Sequence, residues 1–230
     1  MTENALVKRV NNLPVRHTDS DFDDMASGGD WLPRLMLYSG SSNIVKAGDF
    51  PANNYGLTRS KDDTVNLGNE IDVLVLAWRP KAMRIDGDDI SSYYDKETDE
   101  FKAAQAESSE KDSGCMYGPE FLVYLVKQGT FATFFMNSKS QRISAKKVRP
   151  YVARCEKPME EAGKPATLKI EVIRKKFVWA VTVCVPCSTP ITESELPSDE
   201  ELAHELDRFE NPPKDTREKA DEGSSEKRER

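Results

Sequence analysis

The apolar and polar residues of this chain alternate with a period of two over several segments, a pattern that predicts β-strands. The strongest of these segments covers residues 70–79. Its alternation divides the side chains between two faces, with Ile71, Val73, Val75 and Ala77 on one and Asp72, Leu74, Leu76 and Trp78 on the other. Shorter segments with strand character cover residues 31–38, 44–45, 55–58 and 81–85. The chain is therefore expected to be rich in short strands.

Two pairs of apolar runs predict β-hairpins. The first pair, 120–127 and 130–136, is separated only by Gln128-Gly129, and the second covers 166–185 with a basic turn at its tip. Between the hairpins, residues 138–154 carry apolar side chains (Ile143, Val148, Tyr151 and Val152) at helical spacing, and Pro150 should break that helix. This order matches the helix and flanking strands of an OB barrel, and it fits an α+β sandwich equally well. We therefore predict a mainly β fold with one or two helices, either a small OB-like barrel or an α+β sandwich with a disordered acidic C-terminal tail.

Three regions are expected along the chain. Residues 1–30 are polar and predict a flexible N-terminal arm. Residues 31–190 form the β-rich, OB-like domain, with an acidic, helix-prone insertion near 95–112. Residues 191–230 form an acidic tail, in which a capping box of Ser198 and Glu201 predicts a short helix over 199–209. After residue 211 no apolar side chain is larger than alanine until the end, except those of Pro212 and Pro213, which predicts disorder.

The distribution of charge indicates a function. The chain has a net charge of −7, yet residues 121–180 carry thirteen Lys and Arg against four Glu, and the last forty residues return to −7. The basic segment is also rich in aromatic residues. A single-stranded nucleic acid needs cations for its phosphates and aromatic rings for its bases. The alternative interpretation is that the rings form the core and the cations an ordinary solvated face.

The residues that would bind a strand can be named from this segment. The candidate phosphate contacts are Lys139, Arg142, Lys146, Lys147, Arg149, Arg154, Lys169, Arg174, Lys175 and Lys176. The candidate stacking residues are the rings that the strand alternation leaves among polar neighbours, namely Tyr124, Phe134 and Trp179. The remaining rings, Phe121, Phe131, Phe135 and Phe177, are expected in the core.

Other chemistries receive less support. The two histidines, His17 and His204, lie near the chain ends, and the usual nucleophile, zinc-protease and phosphate-loop motifs are missing from the sequence, so we expect a non-enzymatic protein without a cofactor. Four cysteines, Cys115, Cys155, Cys184 and Cys187, include a CxxC pair and leave a zinc site open, although small buried hydrophobes are the more common role of free thiols. With no apolar run of about 18 residues and no signal-peptide core, we expect a soluble, cytoplasmic protein that does not contact membranes.

Short motifs add a family resemblance. WLPRLMLYS at residues 31–39, CMYGPE at 115–120 and ATLKIEV at 166–172, followed by Trp179, resemble small proteins of bacteriophage and environmental viral genomes. Over residues 31–190 the layout is also similar to phage single-stranded-DNA-binding proteins with OB-type barrels. The resemblance implies a protein that coats DNA in replication or recombination, with replication proteins as partners of the acidic tail and homo-oligomers possible. The alternative is a viral structural or adaptor protein with a self-associating β domain.

Overall fold

The computed structural model describes residues 5–12, 32–60, 63–87, 89–110, 112–155, 159–174 and 178–212. Nine strands lie in these ranges: β1 (Arg34–Tyr38), β2 (Asn54–Ser60), β3 (Asp63–Gly68), β4 (Glu70–Asp86), β5 (Asp89–Tyr93), β6 (Cys115–Leu125), β7 (Thr130–Phe135), β8 (Ala166–Arg174) and β9 (Val178–Pro186). Five α-helices accompany them: α1 (Ala5–Asn12), α2 (Asn43–Lys46), α3 (Asp99–Glu107), α4 (Lys139–Val148) and α5 (Asp199–Glu210).

All nine strands belong to one open mixed sheet. The strand order is β3-β2-β1-β7-β6-β4-β8-β9, and β5 pairs with the far end of β4. Strands β1 and β7 are parallel, and the other pairs are antiparallel. The predicted mainly β fold is therefore confirmed, and this sheet is compatible with both finer alternatives, the OB-like barrel and the α+β sandwich.

Strand β4 is the longest element and carries a register shift that changes its two faces. The 17-residue strand runs through Pro80, and its pairing with β6 slips between Val75 and Ala77. One extra residue in an antiparallel strand reverses the side-chain alternation beyond it. Ala77 consequently packs in the same cluster as Leu74, and Trp78 lies on the opposite face. The predicted alternation is right before the shift and wrong after it.

Two hydrophobic cores cover opposite faces of the sheet. The larger one lies beneath α4 and includes Val73, Val75 and Val148. The second lies between the sheet and helices α1 and α5 and includes Leu74 and Leu76. Alternate residues of β4 thus serve the two cores, as expected for a strand buried on both faces.

The packing of α5 changes the expected domain boundary. The predicted helix over 199–209 is confirmed with its capping box on Ser198. Its Leu202, Leu206 and Phe209 are fully buried in the second core, so the folded body extends beyond residue 190. Residues 213–230 lie outside the described ranges, so the disorder predicted for them remains a prediction.

Part of the expected N-terminal arm is also folded. Helix α1 buries Leu6 and Val10 against α5, and Arg9 Nε donates a hydrogen bond of 2.7 Å to Asp199 Oδ1. An amphipathic pattern of only two turns was too short to be recognised in the sequence. The remainder of the predicted arm, residues 1–4 and 13–31, is outside the described ranges.

Several local predictions need correction. The described part has five α-helices rather than one or two, and residues 44–45, predicted as β, belong to α2. The connection between β6 and β7 is longer than Gln128-Gly129, because a 3-10 turn begins at Val126 and Gly129 follows in the left-handed region at φ 58°. Strands β3 and β5 were not predicted. By contrast, the helix in the acidic segment, the end of α4 before Pro150 and the β8–β9 pairing are confirmed.

Candidate nucleic-acid interface

A groove of about 200 Å³ lies between helix α4 and strands β4 and β6. Its floor is apolar and includes Pro80, Pro119 and Phe121. Gly118 also lines the groove, and β6 passes so close to the residue that follows β7 that an added Cβ would clash with the carbonyl oxygen of Met136. The floor is therefore formed by backbone of β4 and β6 that has little room to move.

Trp78 presents the one large exposed ring in this groove's lining. Its side chain is 37% exposed, and the register shift in β4 turns it toward α4. The guanidinium carbon of Arg149 lies 5.2 Å from the ring centroid, and Lys96 Nζ lies 6.0 Å from it. These distances are within the range of cation–π contacts. The exposed part of this ring, with two cations close to it, can accept a planar ligand that carries negative charge.

Helix α4 supplies further cations to the groove. Ser138 caps the helix by accepting a hydrogen bond from the backbone N–H of Gln141. The buried side of α4 is formed by Gln141, Ser144, Ala145 and Val148, which leaves Arg142 and Lys146 on the groove side. Ile143 was expected on the buried face of α4. It is 63% exposed instead, because it lies on the side of the helix that faces away from the sheet.

The positions of these cations are set by few internal contacts. Arg142 Nη1 donates a hydrogen bond of 2.9 Å to the carbonyl oxygen of Tyr117, which orients its guanidinium. Within the described residues, Lys96, Lys146 and Arg149 have no ion pair with a carboxylate, and no acidic side chain lines the groove. Arg149 and Lys96 lie near the Trp78 ring, whereas the guanidinium carbon of Arg142 lies 5.9 Å from the centroid of the Tyr117 ring, which also lines the groove. Together with Lys146, four cations line one concave site and concentrate positive potential there.

The predicted phosphate contacts fall into separate groups. The groove brings together Arg142, Lys146 and Arg149. Lys139 and Lys147 are exposed on the same helix, and Arg174 is exposed at the end of β8. Lys175 and Lys176 lie outside the described residues, so their prediction stands as made.

Two predicted contacts are already paired within the fold. Arg154 donates hydrogen bonds to Glu210 Oε1 at 2.7 Å and to the carbonyl oxygen of Val10 at 3.0 Å, so it joins α1 to α5. Lys169 Nζ lies 3.0 Å from Glu70 Oε1. A cation that already has a carboxylate partner gains less from a phosphate, and we correct both assignments.

The predicted stacking residues are mostly core residues. Phe134 is 2% exposed and packs edge to face against Tyr55, so it cannot offer a ring face to a base. Tyr124 is 7% exposed beneath α5 and packs against Phe131. Burial, together with the charge of nearby Glu201, raises the pKa of Tyr124. Of the three predicted rings, Trp179 alone keeps partial exposure, on β9 opposite Ile173.

The four cysteines have separate surroundings. Cys184 is buried in the larger core, which raises its pKa to about 12. The other three thiols donate hydrogen bonds to different partners. Cys115 donates to Glu107 at 3.4 Å, and Cys155 donates to the carbonyl oxygen of Val152 at 3.1 Å. Cys187 donates to Asp72 at 3.5 Å. In the part of the chain that the structure describes, no three His, Cys, Asp or Glu side chains are placed to hold a metal ion. The structure therefore does not support the zinc alternative.

Three rings and cations that line the groove, Trp78, Lys96 and Tyr117, were not among the predicted contacts. Strict alternation placed Trp78 with Leu74 on the other face, and nothing in the apolar pattern reveals the register shift that moves it. Lys96 lies at the start of an acidic segment, and the net negative charge of that segment gave no indication that this lysine belongs to a basic site. An exposed ring followed by Pro80 in a long apolar strand is the only signal that could have drawn attention to this position.

None of the helices in the described ranges is long and apolar enough to cross a membrane. Comparison with protein-family models, with curated proteins and with solved structures finds no match to this chain. The groove is therefore the structural feature from which a function is inferred.

Proposed function

We propose that this chain is a non-enzymatic single-stranded-DNA-binding protein of viral type, and that the α4 groove holds the strand. The observation that carries the proposal is the exposed ring of Trp78 between Arg149 and Lys96, in a groove that no acidic side chain of the described residues lines. Its role in coating DNA during replication or recombination is proposed from the resemblance of residues 31–190 to phage proteins of that kind.

The chemistry of the groove suits a single strand better than a duplex. A base in single-stranded DNA can place its π-face on Trp78, whereas the bases of a duplex are covered by their neighbours in the stack. Stacking on an aromatic side chain contributes about 1–3 kcal/mol per base and tolerates any sequence. We therefore expect binding with little sequence preference.

The cations of the groove make the binding dependent on salt. Arg142, Lys146, Arg149 and Lys96 line the groove, and we expect them to contact the phosphates next to the stacked base. Each neutralised phosphate of a single strand contributes roughly −0.7 to the slope of log affinity against log salt concentration. Because all four cations line the same groove, loss of any of them should be visible in that slope.

A titration with oligo(dT) over a salt series tests the proposal. Lys146→Ser with Arg149→Ser should weaken binding and reduce the salt slope by about 1.4, for two lost contacts. The matched control, Lys46→Ser with Lys164→Ser, removes the same charge at exposed positions that do not line the groove and should leave the slope near that of the wild type. Absence of binding at low salt, or equal effects of both double variants, would overturn the assignment of the groove.

A further inference from the structure

The groove is connected to the opposite face of the sheet by two adjacent residues of β4. Trp78 lies in the groove on one face, and Arg79 lies on the other face beside α5. Each is covered by a residue of one short segment that follows β5: the Tyr94 ring lies 3.7 Å from the guanidinium carbon of Arg79, and Lys96 lies over Trp78. The segment therefore reaches both faces of the sheet.

This segment can pass around β4 because the strand has a gap in its pairing there. Strand β8 pairs with β4 only as far as Val73, and β5 begins its pairing at Ala82. At Arg79 the described strands pair with β4 on one side alone, through Glu120 of β6. The other edge is where residues 94–96 cross from one face to the other.

Arg79 is held firmly on its face. The carboxylate of Glu120, 2% exposed, accepts hydrogen bonds from Arg79 Nε at 2.9 Å and from Lys81 Nζ at 2.7 Å. Arg79 Nη1 also donates to the carbonyl oxygen of Phe209 in α5, whose ring lies 4.2 Å from the guanidinium carbon. The guanidinium is therefore enclosed by the rings of Tyr94 and Phe209, with a buried carboxylate at its edge.

The segment between Tyr94 and α3 is itself a compact turn. Asp95 Oδ1 accepts a hydrogen bond from the backbone N–H of Glu97 at 2.9 Å, and the Asp95 carbonyl accepts one from Thr98 Oγ1 at 2.9 Å. Thr98 then caps α3. Because the turn is closed by its own hydrogen bonds, the place where Tyr94 rests determines where Lys96 is presented.

We infer, on the basis of the proposed function, that Arg79 and Tyr94 are positioning residues for the groove. They hold Lys96 beside Trp78 before any ligand arrives, so the lysine contributes a phosphate contact from an already restricted position. Phe209 of α5 contacts Arg79 on the far face of the sheet. The docking of α5 therefore helps to keep the positive charge of Lys96 in the groove.

A double-mutant cycle on salt dependence tests this coupling. Tyr94→Ala and Lys96→Ala should each reduce the salt slope of oligo(dT) binding by about 0.7, and the double variant should show no greater loss than either one. Tyr94→Phe keeps the ring over Arg79 and should bind as the wild type does. Circular dichroism with thermal unfolding verifies that each variant is folded.

The outcomes separate this inference from the proposed function. If Lys96→Ala weakens the binding of oligo(dT) and Tyr94→Ala does not, the positioning role is overturned. The assignment of the groove as the binding site would then still stand. Additive losses in the double variant would overturn it as well, because the two residues would then act independently. A wild-type protein that fails to bind oligo(dT) at low salt would overturn both.

Discussion

Deleting the chain after Thr192 tests whether helix α5 is part of the folded body. The deletion removes Leu202, Leu206 and Phe209, each of which is no more than 2% exposed. It also uncovers the apolar residues beneath the helix, including Leu74 and Leu76. The sequence places this region in an acidic tail outside the β-rich domain, whereas the packing of α5 predicts that its loss destabilises the fold.

The expected loss is comparable to the stability of a whole domain. Burying one large apolar side chain contributes about 1.5–3 kcal/mol, so the three side chains of α5 contribute roughly 5–9 kcal/mol together. Folded domains are stable by only about 5–15 kcal/mol in total. We therefore expect the shortened protein to lack a cooperative unfolding transition or to melt far below the full chain.

The matched control is a chain that stops after Pro212, which keeps α5 and removes only residues 213–230. Urea and thermal unfolding, followed by circular dichroism, should give this control the same midpoint as the full chain. If the chain ending at Thr192 melts within about 3 °C of the control, α5 contributes less than about 2 kcal/mol and the second core is misassigned.

Two further predictions concern buried ionisable groups. Glu120→Ala should lower the free energy of unfolding by about 3–5 kcal/mol, because it leaves Arg79 and Lys81 largely buried without their counter-charge. Urea unfolding measures this loss, and a value under about 1 kcal/mol would contradict the buried ion-pair network. Burial raises the pKa of Cys184 from its usual 9.0 to about 12, so the unfolded chain loses this proton before the folded protein does. The unfolding free energy should therefore fall as pH rises from 9.0 to about 12; Cys184→Ala should flatten that part of the profile, and equal slopes in both proteins would refute the assignment.

Much of the fold could be predicted because the order of apolar and polar residues within one segment indicates its secondary structure. The apolar and polar residues of 166–174 alternate in the sequence and predicted the first strand of the second hairpin, which the structure shows as β8. The capping box at Ser198 gave the start of α5 for an equally local reason. Whether α5 then packs on the sheet depends on apolar residues more than a hundred positions earlier in the chain, and no local pattern contains that information.

The register shift in β4 is the reason that the centre of the groove was missed. Its position depends on how β4 pairs with β6, and the apolar run of β4 is continuous enough to conceal the extra residue. A ring predicted to share a face with Leu74 instead lies among the cations of α4. A change of one residue in register was sufficient to move Trp78 from one face of the sheet to the other.

Residue types located the cations of the groove, but tertiary pairing decided which of them remain available. Arg142, Lys146 and Arg149 lie close in sequence on one helix and its C-terminal turn, so their clustering could be predicted. Arg154 and Lys169 looked equivalent to them in the sequence. Their carboxylate partners come from other elements of the fold, and ion pairs of that kind cannot be identified from charge composition.

The central claim, that a base stacks on Trp78 in the groove, is tested most directly by fluorescence of that residue alone. In a variant with Trp31→Phe and Trp179→Phe, Trp78 is the one remaining tryptophan of the three in the chain. Oligo(dT) should quench its emission and bind more tightly than an abasic oligonucleotide of the same length, by roughly 5-fold to 150-fold for about 1–3 kcal/mol of stacking. Unchanged Trp78 emission, or equal affinity for the two oligonucleotides, would contradict the account.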